Sequence, residues 1–163
     1  MAAREDIWNA LFSKLSGISA FVVTSRRGIL NETTSMAPPP FQPALWLMEG
    51  DEIREKPPGS RSNLPKITMT AEIWVWARLP DANGGSGPYV PDQVTPGATV
   101  LNPLLDAIDT VLNTPDDAIN QTNTLGGIVQ HCWSEGRGVK VPGDFDATGQ
   151  CFAIVPIKIL WPS

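Results

Sequence analysis

At 163 residues, with 42% apolar and 18% charged side chains, the chain has the size of one domain and enough apolar content to bury a core. Its formal charge of −5 and pI near 4.7 argue against a tight grip on phosphate backbones, which takes clustered Lys and Arg. The most apolar run, CFAIVPIKILW, is broken by Pro156 and Lys158 and reaches about half of the roughly 20 residues a spanning helix needs, so no membrane span is expected.

Fourteen glycines and sixteen prolines place many turns between short regular elements. The first fifteen residues carry Arg4, Glu5, Asp6 and Lys14 and lack the apolar core of an export signal, so a cytoplasmic origin is expected. In such a reducing compartment Cys132 and Cys151 read as free buried thiols. They lack the C-x-x-C spacing of a metal or redox site, and a bridge between them requires their strands to be neighbours.

From Arg4 to Leu15 the residues Ile7, Trp8, Leu11, Phe12 and Leu15 recur at steps of three and four, one apolar stripe of a helix that Gly17 stops. FVVTSRR, residues 21–27, is β-branched and short, as a strand should be; GILNETTSMAPPPFQP after it is a loop whose prolines cannot donate to a ladder. ALWLMEGDEIRE, residues 44–55, resumes as a strand and turns acidic at Glu49, Asp51 and Glu52. KPPGSRSNLP then makes a turn-rich bridge. In KITMTAEIWVWAR, residues 66–78, alternation puts Ile67, Met69, Ala71, Ile73, Val75 and Ala77 on one face, with Trp74, Trp76 and Arg78 on the other.

Residues 79–98 are poor in apolar side chains and rich in Gly and Pro, and read as a long mobile surface loop. A second helical stripe follows through Leu101, Leu104, Leu105, Ile108, Val111 and Leu112, with Asn102 and Pro103 suited to its N-cap and first position. TPDD, residues 114–117, has the order of another helix start but no apolar stripe after it, so at most one or two turns are expected. Two strands close the chain, about residues 128–134 and 151–161. The expected fold is α+β: a single layer of about five largely antiparallel strands with both helices on one face, in a single domain covering 1–163 with mobile loops at about 28–43 and 79–98.

Few residues invite chemistry. His131, the sole histidine, adjoins Cys132, but neighbours in a strand point to opposite faces and cannot act as base and nucleophile or share a metal. Glu135, on the His131 side, lies two pleats away. DFDATG, residues 144–149, has the D-x-D-x-T form of an aspartate-nucleophile phosphatase, with Asp144 to attack phosphorus and Asp146 to protonate the leaving group. Pro142 and Gly143 before it do not make the buried parallel strand such a site needs, and a hairpin turn accounts for the same residues. As a calcium loop it puts Val155 where a bidentate Glu belongs. NGGSG lacks the Lys-Ser or Lys-Thr of a phosphate loop. No catalytic, cofactor or metal residue is therefore assigned. Trp74 and Trp76 must lie under a second layer or mark a protein contact. Arg26 and Arg27, ending one strand, and Glu49, Asp51 and Glu52, ending another, have the charges to pair across a subunit boundary; Arg78 joins them on the tryptophan side.

As an ordered series, REDIWNALFSKLSGISAFVVTSRR, QPALWLMEGDE, AEIWVWAR, LNPLLDAIDTVL, TLGGIVQHCW and AIVPIKILWP resemble the tail-terminator family, the minor tail or tail-completion proteins of long-tailed bacteriophages, over roughly Arg4 to Pro162. The resemblance implies a non-enzymatic virion protein without cofactor. Such a subunit assembles as a homo-oligomeric ring, usually a hexamer, on the head-proximal end of the tail, halts polymerisation of the tail tube protein and presents a surface to the head-tail connector protein. DNA would pass through without being held tightly, and the interface residues would be Arg26, Arg27, Glu49, Asp51, Glu52, Trp74, Trp76 and Arg78. A head-closure or connector-completion protein of the neck is the neighbouring expectation within this class, and a small phosphohydrolase using Asp144 and Asp146 the one from another class.

Overall fold

The computed structural model describes residues 2–27, 42–56, 58–59, 65–145 and 149–161; for Arg27 and residues 142–145 it describes the backbone alone. Helix α1, Arg4–Ser16, buries Ile7, Trp8, Leu11 and Leu15, the stripe its periodicity predicts. Asp6 accepts the Ala3 N–H at 3.1 Å, satisfying a donor that the helix start leaves open. Strand β1 is Val23–Arg27, β2 Ala44–Glu55 and β3 Lys66–Arg78. Helix α2, Gly97–Asn113, is followed by β4, His131–Ser134, β5, Val139–Phe145, and β6, Gln150–Trp161.

These strands form one open six-stranded sheet in the order β1-β2-β3-β6, with β4 and β5 in tandem along the remaining side of β6. Only β1 and β2 run parallel; the other pairings are antiparallel. The sixth strand is β5. In the sequence its Pro142 and Gly143 argue against a buried parallel strand and no strand is expected there, yet a strand that pairs on one side alone tolerates residues that a central ladder does not. The register aligns Leu45 with Val75, Leu47 with Ile73, Met69 with Ile159 and Ala77 with Cys151, and these side chains share one core with both helices. Leu101, Leu104, Ile108 and Leu112 are the buried stripe of α2.

The second helix begins earlier than Asn102. Gly97 opens it after an extended Pro96, and Pro103 sits inside, where the ring removes a single donor within the first two turns. After α2, TPDD does not continue as a helix: residues 115–124 form a turn closed by an Asp117–Thr122 bridge. The Asp116 carboxylate pegs this turn, accepting the Thr124 N–H, the Thr124 hydroxyl and the Gly126 N–H at 2.6, 2.7 and 2.8 Å, with the Lys14 ammonium of α1 at 3.3 Å.

Antiparallel pairing gives the sheet two unlike ends, roughly 40 Å apart along the 13 residues of β3. At one end lie Glu55 and Lys66, where β2 ends and β3 begins; at the other lie the 79–96 segment and Gly149. The 79–96 segment, expected to be mobile, is built around Asp81, whose carboxylate accepts the N–H groups of Asn83, Gly85 and Val90 at 2.9, 3.1 and 3.3 Å. The Tyr89 hydroxyl donates to the Leu79 carbonyl at 2.8 Å, and the Arg78 guanidinium lies 4.6 Å from the Tyr89 ring centre. Gly149 closes against this loop with φ +73°, where an added Cβ would come within 2.5 Å of Pro91 Cβ. Of the other loop expected to move, residues 28–41 lie outside the described residues.

Candidate functional site

The His131–Cys132 pair divides as strand geometry requires. Cys132 is fully buried in the core shared with the helices, while His131 stacks on Trp133 with ring centres 4.9 Å apart and accepts the Asn123 N–H at Nδ1. The two cysteines are free, and although β4 and β6 are neighbours, no bridge is within reach. Cys132 faces Ile159 in the register and Cys151 stands eight residues back along β6, roughly 27 Å away. Burial pushes the Cys132 thiol up to about 12 and the Cys151 thiol up to about 11. Neither thiol of the native protein is therefore expected to react with a disulfide reagent near pH 8, and both should react after addition of guanidinium; native labelling of either one would contradict this packing. Among the described residues no group of three or more His, Cys, Asp or Glu is gathered to hold a metal, and no helix is long and apolar enough to cross a membrane.

The sheet face turned away from the helices holds a second apolar cluster. Alternation directs Ala44, Trp46 and Met48 of β2, Trp74 and Trp76 of β3, and Phe152 of β6 to this side. Trp76 lies at its centre, with ring centres 5.2 Å from Phe152, 6.0 Å from Trp46 and 6.1 Å from Trp74, and is buried; Trp74 is half-buried and stacks on Phe152 at 6.0 Å. The two tryptophans that share a face in the sequence therefore differ in kind: one is interior, and the other stands at the margin.

Beside Trp74 opens a cleft of about 430 Å³. Its lining includes Met48, Trp74 and Pro156 together with Asp51, Glu72, Glu135 and Lys158. Glu72 accepts the Trp74 indole N–H at 2.8 Å and Glu135 the Trp133 indole N–H at 2.6 Å, so carboxylates orient both rings. The Glu135 carboxyl is held below its usual range, first by Trp133 and then by Lys158, which lies 3.5 Å away. A bulge in β2 shapes the wall. The register slips between Glu49 and Glu52, the Thr70 hydroxyl donates to the Asp51 carbonyl at 2.7 Å, and a Cβ on Gly50 would come 2.7 Å from that hydroxyl.

Of the charges singled out in the sequence, Arg26, Glu49 and Glu52 are engaged within the subunit. Arg26 pairs with Glu5 of α1 at 2.6 Å and with Glu49, and it also reaches Asn9. Glu52 takes a bidentate contact from Arg4 at 2.5 and 3.0 Å and a further one from Arg54 at 3.2 Å. Asp51 is exposed on the bulge, Arg78 is half-buried on Tyr89, and the side chain of Arg27 lies outside the described residues. Asp144 is in β5 with its side chain outside the described residues, as is the whole of Asp146, so the phosphatase arrangement has no described geometry. Sequence reasoning assigned Glu72, Trp133 and Lys158 to no site, and weighed Glu135 only as a carboxylate on the His131 side of its strand. Alternation puts Trp133 and Lys158 on the Trp74 side only once the order β3-β6-β4 is known.

No protein-family model matches this chain, and no curated protein matches it.

Proposed function

We propose that the chain is a structural virion protein of the tail-terminator type, a subunit of a ring, usually hexameric, that caps the head-proximal end of a phage tail tube, stops its polymerisation and offers a surface for joining the head. The observation that carries the reading is the sheet face turned away from α1 and α2, where a half-buried indole borders a cleft of about 430 Å³ lined in part by carboxylates: an aromatic anchor among polar groups is the anatomy of a protein contact. The ordered series of segments from Arg4 to Pro162 supplies the family. A net charge of −5 suits a lumen through which DNA passes without being gripped. In this reading the subunit assembles in the host cytoplasm and acts in the virion.

The test is electron microscopy of purified protein mixed with unterminated tail tubes. Rings seated at one tube end support the reading; bare tubes at saturating protein sink it, and binding to filled heads instead moves the protein to the neck side of the junction. Trp74→Ala is expected to weaken binding to tube ends at least tenfold while leaving the circular dichroism spectrum unchanged. Wild-type binding by this variant would show that the cleft is not a contact surface.

A further inference from the structure

We infer that the cleft beside Trp74 receives an arginine side chain of the tube protein that the subunit caps. The inference rests on the tail-terminator reading and adds to it the chemistry of the contact. At about 430 Å³ the cleft lies near the lower end of the roughly 300–1,000 Å³ range of small-ligand pockets, which is room for a long side chain rather than for a whole helix or strand.

Its walls set the charge of what enters. Of the charged residues lining it, Glu49 is paired with Arg26 and Glu135 with Lys158 at 3.5 Å, so those carboxylates are already matched. Asp51 and Glu72 are left over. Asp51 is exposed and its carboxylate has no partner among the described residues, while Glu72 takes the Trp74 indole N–H at 2.8 Å, a neutral donor that leaves its charge uncompensated. The two acids come from different strands: the Thr70 hydroxyl, donating to the Asp51 carbonyl at 2.7 Å, holds the bulge of β2 beside β3, where Thr70, Glu72 and Trp74 share one face.

A cation is the complement of such a cleft, and the lining selects its kind. Among the described residues no three acids, thiols or imidazoles converge as the ligands of a metal ion, so the negative charge is spread along a wall. An ammonium is a compact, strongly hydrated point charge; a guanidinium is planar, more weakly hydrated, and carries donors in a fork that fits carboxylates. The planar group packs on an indole while its edge donates to acids beside the ring. Trp74 is held ready for this, stacked on Phe152 with ring centres 6.0 Å apart and tied through its N–H to Glu72. Met48 and Pro156, also in the lining, offer apolar surface to the aliphatic stem.

The probe is the capped tripeptide acetyl-Gly-Arg-Gly-amide, titrated into protein isotopically labelled in its tryptophans and followed by the indole N–H resonances, with that of Trp74 assigned from Trp74→Phe. The arginine peptide is expected to shift the Trp74 resonance saturably in the millimolar range. The citrulline peptide, alike in shape but uncharged, should leave it in place, and the lysine peptide should bind at least about threefold more weakly. Asp51→Asn with Glu72→Gln, which keeps an acceptor for the Trp74 N–H, should weaken both the arginine peptide and the capping of tail tubes about tenfold, and rising salt should weaken both in the wild type. Both positions are exposed, so this variant is expected to fold, which circular dichroism checks; the peptide titrations of the wild type stand whatever it does. An unmoved Trp74 resonance, or equal shifts from the arginine and citrulline peptides, would overturn the inference, and equal binding of the lysine peptide would overturn the choice of a guanidinium. Undiminished tube capping by the folded double variant would show that the arginine is not the tube's, and loss of wild-type self-association in that variant would put a second copy in the cleft instead. If the arginine peptide binds but the wild type caps no tubes, the tail-terminator reading falls while the cleft remains a guanidinium site.

Discussion

Trp76→Ala is expected to destabilise the subunit by about 3–5 kcal/mol, the cost of truncating a buried indole together with the cavity left behind. The ring is 1% exposed and packed among Trp46, Trp74 and Phe152, so neighbouring side chains cannot close the gap without leaving their own contacts. For a domain whose total stability is of order 5–15 kcal/mol this is a large fraction, and at about 2–4 °C per kcal/mol the melting temperature should fall by roughly 6–20 °C. Guanidinium unfolding followed by tryptophan fluorescence measures it. The same truncation at Trp74, whose ring already meets solvent at the cleft, should cost much less stability and act on partner binding instead. A Trp76→Ala protein within about 1 kcal/mol of wild type would mean that the side of the sheet away from α1 and α2 is not a packed core.

Asp116→Ala should cost about 2–3 kcal/mol, because one carboxylate satisfies two backbone N–H groups and a hydroxyl and anchors Lys14 of α1. Burial raises its pKa, but the donors of Thr124 and Gly126 together with Lys14 outweigh that and hold the group well below the usual carboxylate range. The pH dependence follows from that direction. The unfolded chain binds the proton near pH 4 and the folded chain only at lower pH, so the stabilisation is fully present above about pH 4 and is lost as the pH falls further. Urea unfolding of wild type and Asp116→Ala at neutral pH and at about pH 3 should show the gap between them shrinking in acid. An equal gap at both values would mean that the charge on Asp116 is not what holds the 114–130 turn to α1.

Periodicity made the helices and the two long central strands legible, because their apolar residues recur at 3.6 or at 2 and the burial follows those spacings. It could not show β5, where Val139 and Val141 precede Pro142 and Gly143 and the pairing is one-sided. Nor could it place the start of α2, since Pro96 and Pro103 both satisfy the preferences of a helix entry. The opposite fates of His131 and Cys132 were legible from strand geometry alone. The difference between Trp74 and Trp76 was not, since burial depends on which neighbouring strand brings Phe152 or Trp46 alongside. Arg26 and Glu52 were visible as charges, but their partners Glu5 and Arg4 come from α1, more than twenty residues away in one case and nearly fifty in the other.

The slip in β2 at Gly50 and Asp51 exchanges the orientations of everything downstream. Uninterrupted pairing after Glu49–Ala71 would set Asp51 against Met69 and turn Ile53 inward over Ile67; the added residue instead brings Glu52 to the Met69 position and Ile53 opposite Thr68. One inserted residue therefore does two things at once. It swings a carboxylate under the first turn of α1, where Arg4 grips it while lying 5.1 Å from the Trp161 ring centre, and it releases an isoleucine to the outside. The seating of the N-terminal helix and the texture of the sheet's far tip are governed by the same backbone irregularity, so neither can be redesigned by itself.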